Sequence, residues 1–190
     1  MTQILRPAIS LMVLFTLLLG LGYPLAITGI AQLAFPFQAN GSLVRNGDRV
    51  IGSELIGQTS ASDTYFWPRP SATGDSPYNA GASSGTNLGP TSAKLKSMVA
   101  AEVEKLRNSG IRTPVPADAA TYSGSGLDPH ISPDYARLQI PRIAKARGIP
   151  EARLNDILGR HIEGPSLGFI GEPRVNVLLL NLALDSERPV

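Results

Sequence analysis

From Pro7 to Leu33 the chain reads PAISLMVLFTLLLGLGYPLAITGIAQL, apolar in every direction rather than on one face. A segment of that kind needs apolar surroundings on all sides. As a helix it would be about 40 Å long, enough to cross a hydrocarbon core of about 30 Å with some tilt. A cleaved signal peptide ending near Gly29-Ile30-Ala31 is the plainer alternative, but signal cores run about 7 to 15 residues, which favours a retained membrane helix over 7–33. Arg6 and the terminal amine precede the segment, and the next cation is Arg45. The positive-inside bias therefore puts the tail 1–6 in the cytoplasm and residues 34–190 outside. Within the segment, Thr16 and Gly20, then Gly22 and Ala26, are small residues four apart, a spacing that admits a neighbouring helix. Gly and Pro are also simply common in membrane helices, and the sequence leaves both readings open. No charged side chain lies in the segment, so it offers no ion relay of its own.

Beyond the apolar run the pattern breaks into short elements. Ser42 to Ser53, SLVRNGDRVIGS, places Asn46-Gly47 between two apolar runs, the signature of a hairpin whose type I′ turn has positive φ at both central residues. Arg45 and Asp48 would then face each other, and Glu54 to Gln58 would either extend the second strand or leave it through Gly57. Leu95, Met98, Val99, Val103 and Leu106 share one face of a helix from about Ser92 to Ser109, capped by Thr91 or Ser92 and ended by Gly110. Ser132, Pro133 and Asp134 have the grammar of a second helix start. That helix should run to Arg147 before Gly148, with a kink or break near Ile140 because Pro141 lacks an amide hydrogen. A short helix follows from Pro150 to about Gly159. Arg174 to Asp185 is apolar but too short to span a bilayer; Pro173 suits a helix start and Val175 and Val177 suit a strand, with helix slightly favoured. Between these elements, Pro68 to Ser92 and Thr113 to Pro129 are loops rich in Pro, Gly and Ser, and composition leaves order or disorder open for the first. The expected architecture is α+β: one transmembrane helix, then a single mixed α/β domain over 34–190 with long loops.

Composition narrows the chemistry. The 190 residues include 19 Gly and 16 Pro, a turn-rich usage, and no Cys, which excludes disulfide scaffolds, thiol nucleophiles and zinc ribbons. The net charge is +2, and Arg6 accounts for half of it, so the domain is near neutral and nucleic acid is an improbable partner. A formal G-x-S-x-G at 81–85 would make Ser83 a nucleophile, but neither a buried strand before it nor a helix after it is present. His130 and His161 have no metal-ligand spacing, and Gly124-Ser125-Gly126 meets Pro129 where a third glycine should fall. His130 beside Asp128 could act as a base, although a histidine in a turn before a helix cap is more often structural. Arg137, Arg142, Lys145 and Arg147 make the most basic stretch, read more readily as a solvated face than as a partner patch. No catalytic or metal-binding residue is expected, and no residue is singled out for or against cofactor binding.

Taken together, Tyr65-Phe66-Trp67-Pro68-Arg69-Pro70-Ser71-Ala72, Tyr78-Asn79-Ala80, Ser83-Ser84-Gly85, Asn87-Leu88-Gly89-Pro90-Thr91, Ser123-Gly124-Ser125-Gly126-Leu127-Asp128-Pro129-His130-Ile131-Ser132 and Arg174-Val175-Asn176-Val177-Leu178 resemble the KdpC family. The likeness covers nearly the whole chain. It implies an accessory subunit of the bacterial potassium-transporting Kdp ATPase, held in the inner membrane beside a potassium-channel-like subunit, a P-type ATPase subunit and a small membrane subunit. Such a chain carries no cofactor, since ATP is used by the ATPase subunit. The family is described as an assembly factor and as a catalytic chaperone that raises ATP-binding affinity. A domain outside the membrane cannot touch an ATP site inside, so that effect would travel through assembly and the membrane helices. On this reading the loop from Tyr65 to Thr91 is ordered, and Tyr65, Phe66, Arg69, Pro70, Tyr78, Asn79, Ser84, Asn87, Asp128 and His130 are candidate partner contacts. The rival classes are an extracytoplasmic hydrolase built on Ser83 or His130 and a solute- or cell-wall-binding module.

Overall fold

The computed structural model describes residues 2–60, 62–112 and 114–187. The terminal amine of the charge argument, Thr113 at the head of the second loop, and the last three positions of the expected domain lie outside the described residues. The chain forms two compact units, Met1–Ile51 and Gly52–Val190.

In the first unit, helix α1 (Thr2–Leu17) continues through a π-helical turn (Leu18–Gly22) into α2 (Tyr23–Ala34). Pro24 accounts for the wide turn: it has no amide hydrogen for the Gly20 carbonyl, and its ring would crowd a regular α turn. Tyr23 N–H instead reaches back to the Leu18 carbonyl. The turn contains Gly20 and Gly22, so both small-residue pairs run into or out of it. Thr16 spends its hydroxyl on the Met12 carbonyl, 2.7 Å away. From Gln3 to Ala34 the helix is long and apolar enough to cross a membrane, and none of it is buried within the protein. A short helix α3 (Pro36–Ala39) and a hairpin of β1 (Leu43–Asn46) and β2 (Arg49–Ser53) follow. The hairpin loop is Gly47-Asp48 rather than Asn46-Gly47. Only Gly47 takes positive φ, 58°, which corrects the type I′ expectation: a single glycine at the first loop position suffices.

The second unit packs several helices around a small three-stranded sheet. Helix α4 (Ala93–Asn108) begins at Ser92, whose Oγ accepts from the Leu95 amide, and α5 (Ala117–Ala120) is a single turn. Strand β3 (His130–Ile131) leads into α6 (Pro133–Arg147), capped by Ser132 and closed by Gly148 at φ 69°. Helix α7 (Glu151–His161), strand β4 (Ile162–Glu163), strand β5 (Arg174–Asn176) and helix α8 (Val177–Ser186) complete the chain. The sheet order is β3-β5-β4, with both pairs antiparallel. The core collects Phe66, Leu106, Tyr135, Ile143, Leu154 and Leu180, all buried.

Two expectations are corrected here. Pro141 does not break α6, because it and Arg137, whose carbonyl it leaves unpaired, lie on the exposed side where water can serve. The apolar tail is neither helix nor strand alone: Val175 sits in β5, and Asn176 turns the chain by capping α8, its Oδ1 accepting from the Leu179 amide at 3.2 Å. The loop from Pro68 to Ser92 has no regular structure beyond a 3-10 turn (Ala80–Ala82), yet follows a defined course.

Close approach fixes Gly57. A Cβ there would lie 2.4 Å from the Tyr78 ring and 2.6 Å from the Asp128 carbonyl, and the second is backbone. Gly57→Ala should therefore cost about 1–3 kcal/mol, read as a lowered Tm of the full chain in detergent. Gly89→Ala, where nothing lies within 4 Å, should stay within about 0.5 kcal/mol of the parent.

Candidate functional site

Every buried amide and carbonyl of an irregular segment needs a partner, and here side chains supply them. Phe66 donates its N–H to Asn181 Oδ1 at 2.8 Å and accepts from Asn181 Nδ2 at 3.0 Å. Trp67 is held in the same manner by Gln139, with its N–H to Oε1 at 2.7 Å and its carbonyl receiving Nε2 at 3.1 Å. Two primary amides on α8 and α6 thus stand in for neighbouring strands. Arg142 reinforces them: its Nη atoms donate to the Asp63 carbonyl (2.6 Å), the Tyr65 carbonyl (2.9 Å) and Gln139 Oε1 (2.8 Å). Its guanidinium lies 3.9 Å from the Trp67 ring centroid, a favourable cation–π placement. Burial holds the Arg142 pKa below its ordinary value. Arg147 donates to the Thr64 carbonyl at 2.6 Å and to Asp185 at 2.7 Å, and it stacks on Tyr65, whose hydroxyl reaches Asp185 at 3.0 Å.

The basic stretch on α6 is accordingly not one solvated face. Arg137 does lie at the surface with Asp134, but Arg142 and Arg147 turn inward and clamp residues 62–67.

A second cluster organises the loop beyond. Arg69 Nη1 pairs with Asp128 Oδ2 at 2.9 Å, and Nη2 donates to the Thr121 carbonyl at 3.3 Å. Asp128 Oδ1 accepts the His130 amide at 3.0 Å and lies 3.6 Å from His130 Nδ1. Burial alone would raise the Asp128 pKa; the His130 hydrogen bonds and the Arg69 charge outweigh it and hold the carboxyl below its usual range. Tyr78, at φ 60°, donates its hydroxyl to the Arg69 carbonyl, and its own amide donates to Ser71 Oγ at 2.9 Å. Burial pushes the Tyr78 hydroxyl pKa upward. The Ser84 amide donates to the Ser125 carbonyl at 3.0 Å, which ties the two glycine-rich loops together.

The candidate contacts thus separate into groups. Arg69, Pro70, Tyr78, Asp128 and His130 converge around the ion pair, which borders an open groove of about 920 Å³ and a small chamber of about 160 Å³. Asn79 caps the 3-10 turn through Oδ1. Ser84 and Asn87 lie exposed on the outer loop, Asn87 at φ 51°. Phe66 is fully buried, so its ring is inaccessible to a partner and serves to hold the loop. Sequence reasoning missed Gln139 and Asn181, and read Arg142 and Arg147 as part of a solvated face rather than as loop clamps. The available signal was a polar residue on an apolar helix face: Gln139 falls between Tyr135 and Ile143, and Asn181 between Leu180 and Leu184.

The rival chemistry finds little geometry. Ser83 is exposed and donates to the Ser125 carbonyl at 3.0 Å, while His130 is oriented by Asp128 and His161 Nδ1 faces the Ile157 carbonyl at 2.8 Å. Among the described residues no group of His, Cys, Asp and Glu could hold a metal ion.

These features define a class: one helix long and apolar enough to cross a membrane, joined to an α+β domain whose loops are fastened from within. A family model described as KdpC, K+-transporting ATPase, c chain, matches residues 5–186. The chain is 58% identical over 182 residues to a protein of Allorhizobium ampelinum named potassium-transporting ATPase KdpC subunit, covering 96% of this chain and 95% of that one. Proteins of the same name from Methylobacterium nodulans and Caulobacter vibrioides are each 55% identical, over 97% of this chain and 98% and 94% of theirs. The chain belongs to the KdpC family.

Two outcomes follow from the clamps. Arg142→Met removes these charge-assisted hydrogen bonds and a cation–π contact, and should cost about 2–4 kcal/mol with a red shift of the single tryptophan's emission. Asp128 has a lowered folded pKa, so its contribution to stability is complete above the unfolded-state pKa of about 4 and is lost as pH falls through the lower folded value. Asp128→Asn should flatten the acid side of a Tm-against-pH profile while lowering Tm at neutral pH.

Proposed function

We propose that this chain is an accessory subunit of an ATP-driven potassium uptake complex that binds and stabilises its partners and catalyses nothing itself. Family membership over nearly the whole chain carries the reading. It is supported by a helix whose apolar side chains are exposed, and by a domain in which Arg69, Arg142 and Arg147 are occupied in holding the loops. Its N-terminus lies in the cytoplasm and its domain, from residue 34 onward, outside the cytoplasmic membrane. Its partners are a potassium-channel-like subunit, a P-type ATPase subunit and a small membrane subunit, and the exposed parts of the loop from Tyr65 to Thr91 face them. Thr16, Gly20, Gly22 and Ala26 form the closest approach to a neighbouring membrane helix. The chain binds no cofactor. Its influence on nucleotide is that of a catalytic chaperone, raising the ATP affinity of the ATPase subunit through assembly and the membrane helices.

Detergent extraction through a tag on this chain should bring down the channel-like and ATPase subunits together, and complexes prepared without it should show a several-fold weaker apparent ATP affinity. Recovery of the tagged chain alone, or covalent labelling of Ser83 by a serine-reactive phosphonate, would contradict the reading and favour the hydrolase.

A further inference from the structure

The segment between β4 and β5 carries three of the four exposed large apolar side chains described in the second unit, the fourth being the isolated Leu55. Leu167, Phe169 and Ile170 are 83%, 78% and 51% exposed. They stand on a braced turn rather than a loose loop. The Ser166 and Ile170 backbones exchange hydrogen bonds of 2.9 Å in both directions, and the Gly168 amide reaches the Pro165 carbonyl at 3.0 Å. Leu167 is held at φ 55° between these bonds, a conformation that a bulky residue rarely adopts. The base is pinned by the pairing of Glu163 with Arg174, whose Nε donates to the carboxylate at 3.0 Å.

The occupant of this surface follows from charge and area. No charged residue lies between Glu163 and Glu172; Arg174 is taken up in pairing with Glu163, and Glu172 stands at the other border. Adsorption to an anionic bilayer surface calls for a cationic rim, which this turn lacks. The three side chains present on the order of 400 Å² of apolar surface, about half of the ~800 Å² per partner that a stable interface buries. Self-pairing across a two-fold axis would therefore be undersized, and it would bring the Glu172 carboxylates of two copies together. A small anchor does suffice for a partner already held nearby, because tethering raises the effective concentration.

We infer that Leu167, Phe169 and Ile170 insert into an apolar socket with a neutral or cationic rim on the extramembrane surface of another subunit of the same complex. The inference rests on the proposed function and specifies a surface that the sequence resemblance did not single out. Phe169→benzoylphenylalanine in the full chain, irradiated within the assembled complex in native membranes, should yield an adduct with one other subunit. An adduct with lipid, an adduct with a second copy, or no adduct overturns it. In parallel, the double variant Leu167→Ser, Phe169→Ser should lower retention of the other subunits after detergent extraction at least tenfold, with the Tm of the purified full chain unchanged within about 2 °C, as expected for exposed positions. Undiminished retention in the double variant overturns the anchor alone. Should the variant lose both retention and Tm, the adduct decides. A wild-type chain that retains no other subunit overturns the proposed function along with it.

Discussion

Burying a backbone that belongs to no helix or sheet is possible only if each of its polar groups finds a partner, since an orphaned amide or carbonyl costs as much as a lost hydrogen bond or more. The Phe66-Trp67 segment meets that demand with two side-chain amides, Asn181 and Gln139, each pairing with both the N–H and the carbonyl of one residue. Phe66 can therefore sit in the core while the chain on either side stays irregular. Arg142 closes the arrangement by gathering the Asp63 and Tyr65 carbonyls and Gln139 onto one guanidinium.

The same economy decides what the domain can present to others. Arg69, Arg142 and Arg147 are all engaged inward and shape loops, while Arg137 and Lys145 of the same basic stretch stay at the surface. Also outward are polar loop surface at Ser84 and Asn87 and the apolar turn around Phe169. A surface of that kind suits stable association between subunits. The helix of the first unit adds a second requirement of the same sort, because its apolar side chains are uncovered and its π turn at Leu18–Gly22 brings two glycines to one place.

Much of the fold was legible along the chain. Ser92 and Ser132 as caps, Gly148 in the left-handed region and the apolar stripe of α4 are local signals, and local signals survive into the structure. The hairpin turn slid by one residue because Asn46-Gly47 and Gly47-Asp48 differ only in which neighbour of the glycine leaves the strand. Arg174 to Asp185 was ambiguous because it contains both a strand and a helix, divided at Asn176 by a cap. The clamps were illegible for a different reason: Gln139 and Phe66–Trp67, or Asn181 and Phe66, are far apart in sequence, and no periodicity joins them. Of the candidate contacts, the motif order singled out Arg69 and Asp128, which do pair, but it could not tell that Phe66 belongs to the core. The turn at Leu167 to Ile170 was passed over because a short apolar run reads as core until its exposure is seen.

Site-resolved amide hydrogen exchange on the full chain in detergent tests most directly whether the irregular loops are fastened from within. The Phe66, Trp67, Tyr78 and Ser84 amides should exchange orders of magnitude more slowly than an unstructured peptide, with Trp67 losing that protection when Gln139 is replaced by Ala. Exchange of these four amides at the free-peptide rate would contradict the account.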